Sequence, residues 1–169
     1  MMLIRPAEPE DARAVAEIHV EAWRAAYESI LPEAFLASLN VASRQEFWTQ
    51  FLIKKKGRLL VAMDGMRMLG WINTGRCRDD DALPSDAEIW ALYVSPAVWS
   101  KGVGRQLWES AQCSLREAGF IRCSLWVLAQ NVRAIRFYQA AGFERDNFST
   151  KSIQLAESLF EEVRFTCHL

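Results

Sequence analysis

A glycine-bearing segment between a strand and a helix limits the possible folds of this chain more than any other feature. "AEIWALYV" reads as a strand, first alternating and then continuously apolar. "SPAVWSKGVG" follows it. The next run puts Leu107, Trp108, Ala111, Leu115 and Ala118 on one helical stripe, with Gly119 as its stop. "IRCSLWVL" is a second strand, and Asn131 is placed to cap a second helix, "VRAIRFYQAAG", ended by Gly142. This order of elements is a βαβ unit.

The elements before it are of another kind. Leu3 to Arg5 reads as a short strand. "PEDARAVAEIHVEAWRAAYESI" is a helix, with Glu10 and Asp11 at the positive end of its dipole. Ala12, Val15, Ala16, His19, Ala22, Trp23, Ala26 and Tyr27 form its apolar stripe. A second helix starts at Pro32, and a third covers "SRQEFWTQFLIKK", where Ser43 and Glu46 have capping-box spacing. "RLLVAMDGMRMLGWINTG" is a hairpin around Asp64-Gly65, and "RDDDALPSD" an acidic loop. "FERDNFS" and "LFEEVRFTCHL" read as two closing strands. The expected fold is α+β, one domain over residues 1–169: a mixed, mostly antiparallel sheet of about seven strands flanked by helices.

Charge and cysteine usage exclude several function classes. A formal net charge of −1 gives no electrostatic reason to expect nucleic acid or an anionic membrane as partner. Cys77, Cys113, Cys123 and Cys167 make no CxxC pair, so no metal site is signalled, and reduced thiols fit a cytoplasmic protein. "MMLIRPAEPEDA" turns polar after four residues and lacks the apolar core of a signal peptide. No apolar run approaches the roughly 18 residues of a membrane span.

Gly102 and Gly104 read either as turn residues or as a phosphate cradle. The nucleotide patterns fail: Lys101 precedes Gly102 where a Walker loop needs Gly-Lys-Ser/Thr, and Leu107 stands where GxGxxG needs glycine. What remains is a pyrophosphate held by backbone N–H groups at a helix N-terminus, with Lys101 and Arg105 adding charge.

"VSPAVWSKGVG" resembles the acyl-CoA-binding signature of the GNAT superfamily of N-acetyltransferases, (R/Q)-x-x-G-x-(G/A). "NVRAIRFYQAAGF" resembles that family's second signature. The likeness is tight from Glu88 to Phe143, looser from Leu3 to Gly75 and weak beyond Phe143. Trp99 departs from the pattern, standing where Gln or Arg is usual. Its two readings are packing beside the loop and stacking near the adenine.

The resemblance implies a GNAT fold and acetyl-CoA as co-substrate. The cofactor would be held by Leu92, Tyr93, Val94, Ser100, Lys101, Gly102, Val103, Gly104, Arg105, Asn131, Phe137 and Tyr138. The backbone of Leu92 and Val94 would pair with pantetheine as an added strand does. The activity implied is direct attack of a primary amine on the thioester. An alkylammonium of pKa about 10.4 is neutral only about once in 2,500 molecules at pH 7, so a base or water chain helps. Glu88 is the candidate base, acting through water. Tyr138 is the candidate acid for the departing thiolate, since a phenol stays protonated at neutral pH.

Strand alternation would place Glu88, Trp90 and Leu92 on one face, unless a bulge near Leu92 changes it. Trp23, Tyr27 and Trp90 are candidate acceptor-pocket residues. His19 reads as a core histidine ahead of a base. The acidic loop reads as solvated, or as an attractor of a cationic acceptor. A non-catalytic acyl-CoA-binding domain is the rival reading. The acceptor and a homodimer stay open.

Overall fold

The computed structural model describes residues 1–169. The elements run β1 (Met2–Pro6), α1 (Ala12–Ala26), α2 (Glu33–Ser38), α3 (Val41–Lys54), β2 (Arg58–Asp64), β3 (Arg67–Arg76), β4 (Asp86–Val94), α4 (Val103–Glu117), β5 (Arg122–Leu128), α5 (Val132–Ala140), β6 (Glu144–Leu155) and β7 (Ser158–His168). This is the order read from the sequence. All seven strands form one sheet in the order β1-β2-β3-β4-β5-β7-β6. Only β4 and β5 run parallel, joined through α4; every other pair is antiparallel.

Two apolar clusters sandwich the sheet. On one face Val103, Leu107, Trp108, Ala111 and Leu115 of α4 pack with Tyr138 of α5 against Ala87, Ile89, Cys123, Leu125, Val163 and Phe165. The expected stripe of α4 holds except at Ala118, which caps the helix and is exposed. On the other face Ala12, Val15, Ala16 and Ile18 of α1 pack with Trp48 of α3 against Val61, Met63, Met68 and Trp71.

Several local details differ from the sequence reading. The first helix opens as a 3-10 turn over Pro9–Asp11, boxed by Glu8 and Asp11. The third helix starts earlier than expected. Asn40, not Ser43, caps it, and Ser43 is the residue whose backbone N–H donates to the Asn40 side chain at 3.1 Å. β6 is longer than "FERDNFS". It continues through Leu155 and absorbs an irregularity between Asp146 and Thr150, where Phe148 is fully exposed.

The consequential difference lies in β4. Asn73 pairs with Ala91 and Thr74 with Ile89, so Trp90 is an extra residue with no partner in register. The bulge sits at Trp90, not near Leu92, and it reverses the alternation. Before it, Ala87 and Ile89 face α4; after it, Leu92 and Val94 do, while Ala91 and Tyr93 turn to α1. Glu88 therefore shares a face with Ala91 and Tyr93 and not with Leu92. Gly57 and Gly75 make room for the Trp90 ring, since a Cβ at either would stand within 2.6 Å of it.

His19 is a core residue, as expected. It is buried among Trp23, Trp48, Trp71 and Tyr93, and stacks on Tyr93 at 5.1 Å. The Trp48 indole N–H donates to its Nδ1 at 3.2 Å. Protonating that nitrogen would remove the acceptor, and burial already lowers the imidazole to about 4. The unfolded ring, near 6.5, takes up a proton first as pH falls. Stability is thus full above about pH 6.5 and declines from there towards pH 4, by up to about 1.4 kcal/mol per pH unit. Denaturant unfolding of the wild type and of His19→Gln between pH 7 and 5 checks this: the variant loses most of the slope.

Candidate active site

β4 and β5 pair only at Asp86–Arg122, Ala87–Cys123 and Glu88–Ser124. β5 stays zipped to β7 along its whole length, while β4 bends away at the Trp90 bulge. The strands part, and the gap opens into a cavity of about 710 Å³. Its walls are the end of β4 (Leu92, Tyr93, Val94), the following loop and start of α4 (Val98, Trp99, Ser100, Gly102, Val103, Gly104, Arg105), and α5 with its cap (Asn131, Val132, Arg133, Ala134, Arg136, Phe137, Tyr138). Ala22, Ala26 and Tyr27 close it from α1.

The two glycines of the loop serve different needs. Gly102 caps α4 with φ +84°, a conformation L side chains rarely adopt, and a Cβ there would point into open space. Gly104 is needed for contact, because a Cβ would stand 3.2 Å from the Phe137 ring. Ser100 also takes a positive φ, of 60°. The loop so formed leaves the N–H groups of Val103, Gly104 and Arg105 without backbone acceptors, and the first helical bond runs from Gln106 to Gly102. These donors, the helix dipole and the charges of Arg133 and Arg136 make that end of the cavity a site for an anion, while the Arg105 guanidinium pairs with Glu109 at 2.7 Å.

Trp99 is a strut. Its indole N–H donates to the Val94 carbonyl at 2.8 Å, and the Arg133 guanidinium stacks on its ring at 3.5 Å. It thereby ties the loop before α4 to the first turn of α5. Arg133 and Arg136 were missed in the sequence, although their three-residue spacing after Asn131 puts both on one helical face. Lys101, expected in the cradle, is off the wall; its ammonium donates to the Ala97 carbonyl at 3.3 Å.

Asn131 caps α5, its side-chain oxygen accepting from the Ala134 N–H at 3.2 Å, and it also lines the cavity. Tyr138 lines the cavity from α5, packed edge-on to Phe137 and Phe143. Burial raises its phenol above the ordinary value, so it stays protonated. All three tyrosines of the chain, Tyr27, Tyr93 and Tyr138, reach this one cavity.

Besides Lys101, three candidates stand outside it. Glu88 is buried, and Arg78 occupies both its oxygens: the guanidinium donates to them at 2.7 and 3.2 Å and the backbone N–H at 3.0 Å. Trp90 donates to the Arg76 carbonyl and packs on Phe51. Trp23 packs between His19 and Tyr27, so only Tyr27 of that pair reaches the cavity wall. The acidic loop is not freely solvated either. Asp79 and Asp81 bind the buried Arg164, which also holds Asp146 at 2.6 Å. The guanidinium keeps the Asp81 and Asp146 carboxyls below the usual range.

The pattern of the acetyltransferase (GNAT) family matches residues 13–143. The chain belongs to the GNAT acetyltransferase family. It is 32% identical over 161 residues to an uncharacterized N-acetyltransferase of Bacillus subtilis, YuaI, across 93% of this chain and 90% of that one. It is 25% identical to a spermidine N(1)-acetyltransferase of Thermoplasma acidophilum, across 83% and 87%. Its fold superposes with TM-score 0.78 on the PaiA N-acetyltransferase of Thermoplasma acidophilum, solved in complex with coenzyme A, at 22% identity and over 100% and 99% of the two chains. The GNAT chain described here is thus an acyltransferase, with acetyl-CoA as its co-substrate. None of its helices is long and apolar enough to cross a membrane.

Substitution at Gly102 tests the anion cradle. Asp and Asn at position 102 bear the same backbone strain at φ +84°, but only Gly102→Asp sets a carboxylate where the anion would lie. Acetyl-CoA affinity, measured by calorimetry, is expected to be at least about tenfold weaker, or about 1.4 kcal/mol, in Gly102→Asp than in Gly102→Asn, with the two melting temperatures alike.

Proposed function

We propose that the chain transfers the acetyl group of acetyl-CoA to a primary amine by direct attack, without an acyl-enzyme. The observation that carries this reading is the cavity at the β4–β5 gap, which joins an anion cradle to a buried, protonated tyrosine. In this reading the pyrophosphate lies on the N–H groups of Val103, Gly104 and Arg105. Pantetheine runs along the free edge of β4 at Leu92 and Val94, with Asn131 opposite. The Val94 carbonyl already receives the Trp99 N–H, so Leu92 carries more of that pairing.

The amine nitrogen attacks the thioester carbonyl, the C–S bond breaks, and the Tyr138 hydroxyl gives its proton to the departing sulfur. The ammonium loses one proton to water before it attacks and a second as the C–S bond breaks, and the Tyr138 phenolate takes a proton back from solvent. Glu88 is not the base in this reading: Arg78 places three donors on its two oxygens, and it does not line the cavity. Its ion pair instead fixes the point at which the strands part. The acceptor approaches from the α1 side, past Tyr27.

The deciding experiment is a panel of amines assayed with acetyl-CoA, reading free thiol release. Thiol release that depends on an amine supports the transferase reading. Acetyl-CoA binding with no amine-dependent release from any of them supports the rival, a non-catalytic acyl-CoA-binding domain. Tyr138→Phe tests the acid: kcat is expected to fall by about 100-fold while acetyl-CoA affinity stays within twofold. An unchanged kcat would remove Tyr138 from the mechanism.

A further inference from the structure

The face of the sheet opposite α4 carries a second constellation beside the gap. β5 loses β4 as a partner after Ser124, so Trp126 and Leu128 stand on its free edge. Cys123, Leu125, Val127, Val163 and Phe165 point into the α4 core. Alternation then puts Trp126 and Glu162 on the other face, the one from which α1 delivers Tyr27. Leu128 pairs with Glu162 and Trp126 with Arg164, which makes Trp126 and Glu162 diagonal neighbours.

An ammonium lies between them. Lys151 of β6, in register with Glu162, holds its Nζ 4.2 Å from the centre of the Trp126 ring and 3.8 Å from a Glu162 carboxylate oxygen. An aromatic face with a carboxylate at its edge is the chemistry that recognises an alkylammonium. The cage is fixed and its tenant is not. The Trp126 indole N–H donates to both oxygens of Asp79, at 2.9 and 3.1 Å, and Arg164 anchors Asp79 from behind. The Glu162 side chain is 15% exposed and that of Lys151 47%. At 3.8 Å the Lys151 contact is a loose ion pair on an edge strand, readily exchanged.

We propose that Trp126 and Glu162 form a subsite for a cationic group of the acceptor, in the place that the Lys151 ammonium holds in this structure, and that the acceptor is a diamine or polyamine. This rests on the acetyl-transfer reading above. The reacting nitrogen must be uncharged, whereas a carboxylate and an aromatic face favour the charged form. The nitrogen in the cage is therefore a second one, beside the one that attacks. Tyr27 links the two places: it lines the cavity and lies close enough to feel the Glu162 charge. The groups facing Glu162 are Lys151 from β6, Glu88 with its Arg78 from β4, Tyr27 from the end of α1, and Arg164 on its own strand, held by three aspartates. Burial raises the Glu162 carboxyl, and Lys151 works against that shift.

The test compares 1,5-diaminopentane with pentylamine, two acceptors of equal chain length, by acetyl-CoA-dependent thiol release. The wild type is expected to favour the diamine by at least tenfold in kcat/KM. Glu162→Gln is expected to bring that ratio to within about twofold of one, chiefly through the diamine KM, with acetyl-CoA affinity retained. Trp126→Leu moves the ratio the same way, and Lys151→Gln lowers the diamine KM by removing the competing ammonium. A wild type that shows no preference, or a ratio unchanged in Glu162→Gln, overturns the proposal. If no amine supports thiol release, the acetyl-transfer reading fails and the subsite is judged by calorimetric binding of the diamine. Binding that is lost in Glu162→Gln supports it, and binding absent from the wild type or equal in both proteins overturns it.

Discussion

The parting of β4 from β5 is the constraint on which the rest of the site depends. Two parallel strands joined by a helix would ordinarily pair along their length. Here they pair at three positions and separate at the Trp90 bulge. The bulge is held from both sides. Glycines at 57 and 75 leave space for the Trp90 ring, and the Arg78 guanidinium lies 5.0 Å over it while gripping Glu88. Glu88 is thus the last paired residue and the anchor of the fork. A lone buried carboxylate would be costly; one with three donors from Arg78 is a stable hinge point.

From the fork, the two faces of the sheet acquire different characters. Towards α4 and α5 the gap meets backbone donors and arginines. Glycine at 102 permits the loop conformation, and glycine at 104 permits helix α4 to approach Phe137. The Trp99–Arg133 stack then joins the two helix N-termini that border the gap. Towards α1 the gap meets Tyr27, and Trp126 and Glu162 stand beyond it on β5 and β7, an aromatic ring and a carboxylate. In the proposed reading one face takes an anion and the other a cation, on the two sides of the β4–β5 gap.

The sequence was most legible where a local rule decides the outcome. The seven strands, the helix order and the cap at Asn131 follow from periodicity, turn residues and capping chemistry, each readable within a dozen positions. The cradle was legible because it is a property of the backbone that two glycines announce. What escaped was set by register or by distant partners. The extra residue in β4 is fixed only by its partner strand, so alternation alone put Glu88 and Leu92 on one face, and a bulge in this strand could be named only as the exception that it proved to be. "RDDDALPSD" looked like free charge because Arg164, which neutralises two of its aspartates, lies some 80 positions away. Asn40 displaced Ser43 as a cap because both are good N-cap residues, and the longer helix prevailed.

The Arg164 cluster shows how such a distant partner shapes the site. A buried guanidinium with only one carboxylate would leave donors unmet. Arg164 instead meets Asp79, Asp81 and Asp146, from the loop before β4 and from β6. The loop and the edge strand are thereby pinned to β7, on either side of Trp126. Asp79 is shared between the guanidinium and the indole N–H, so the orientation of the ring follows from the charge network and not from apolar packing alone. In the proposed cation subsite the acidic loop plays an indirect part. It does so by holding an aromatic ring in place, with its own charge spent on Arg164.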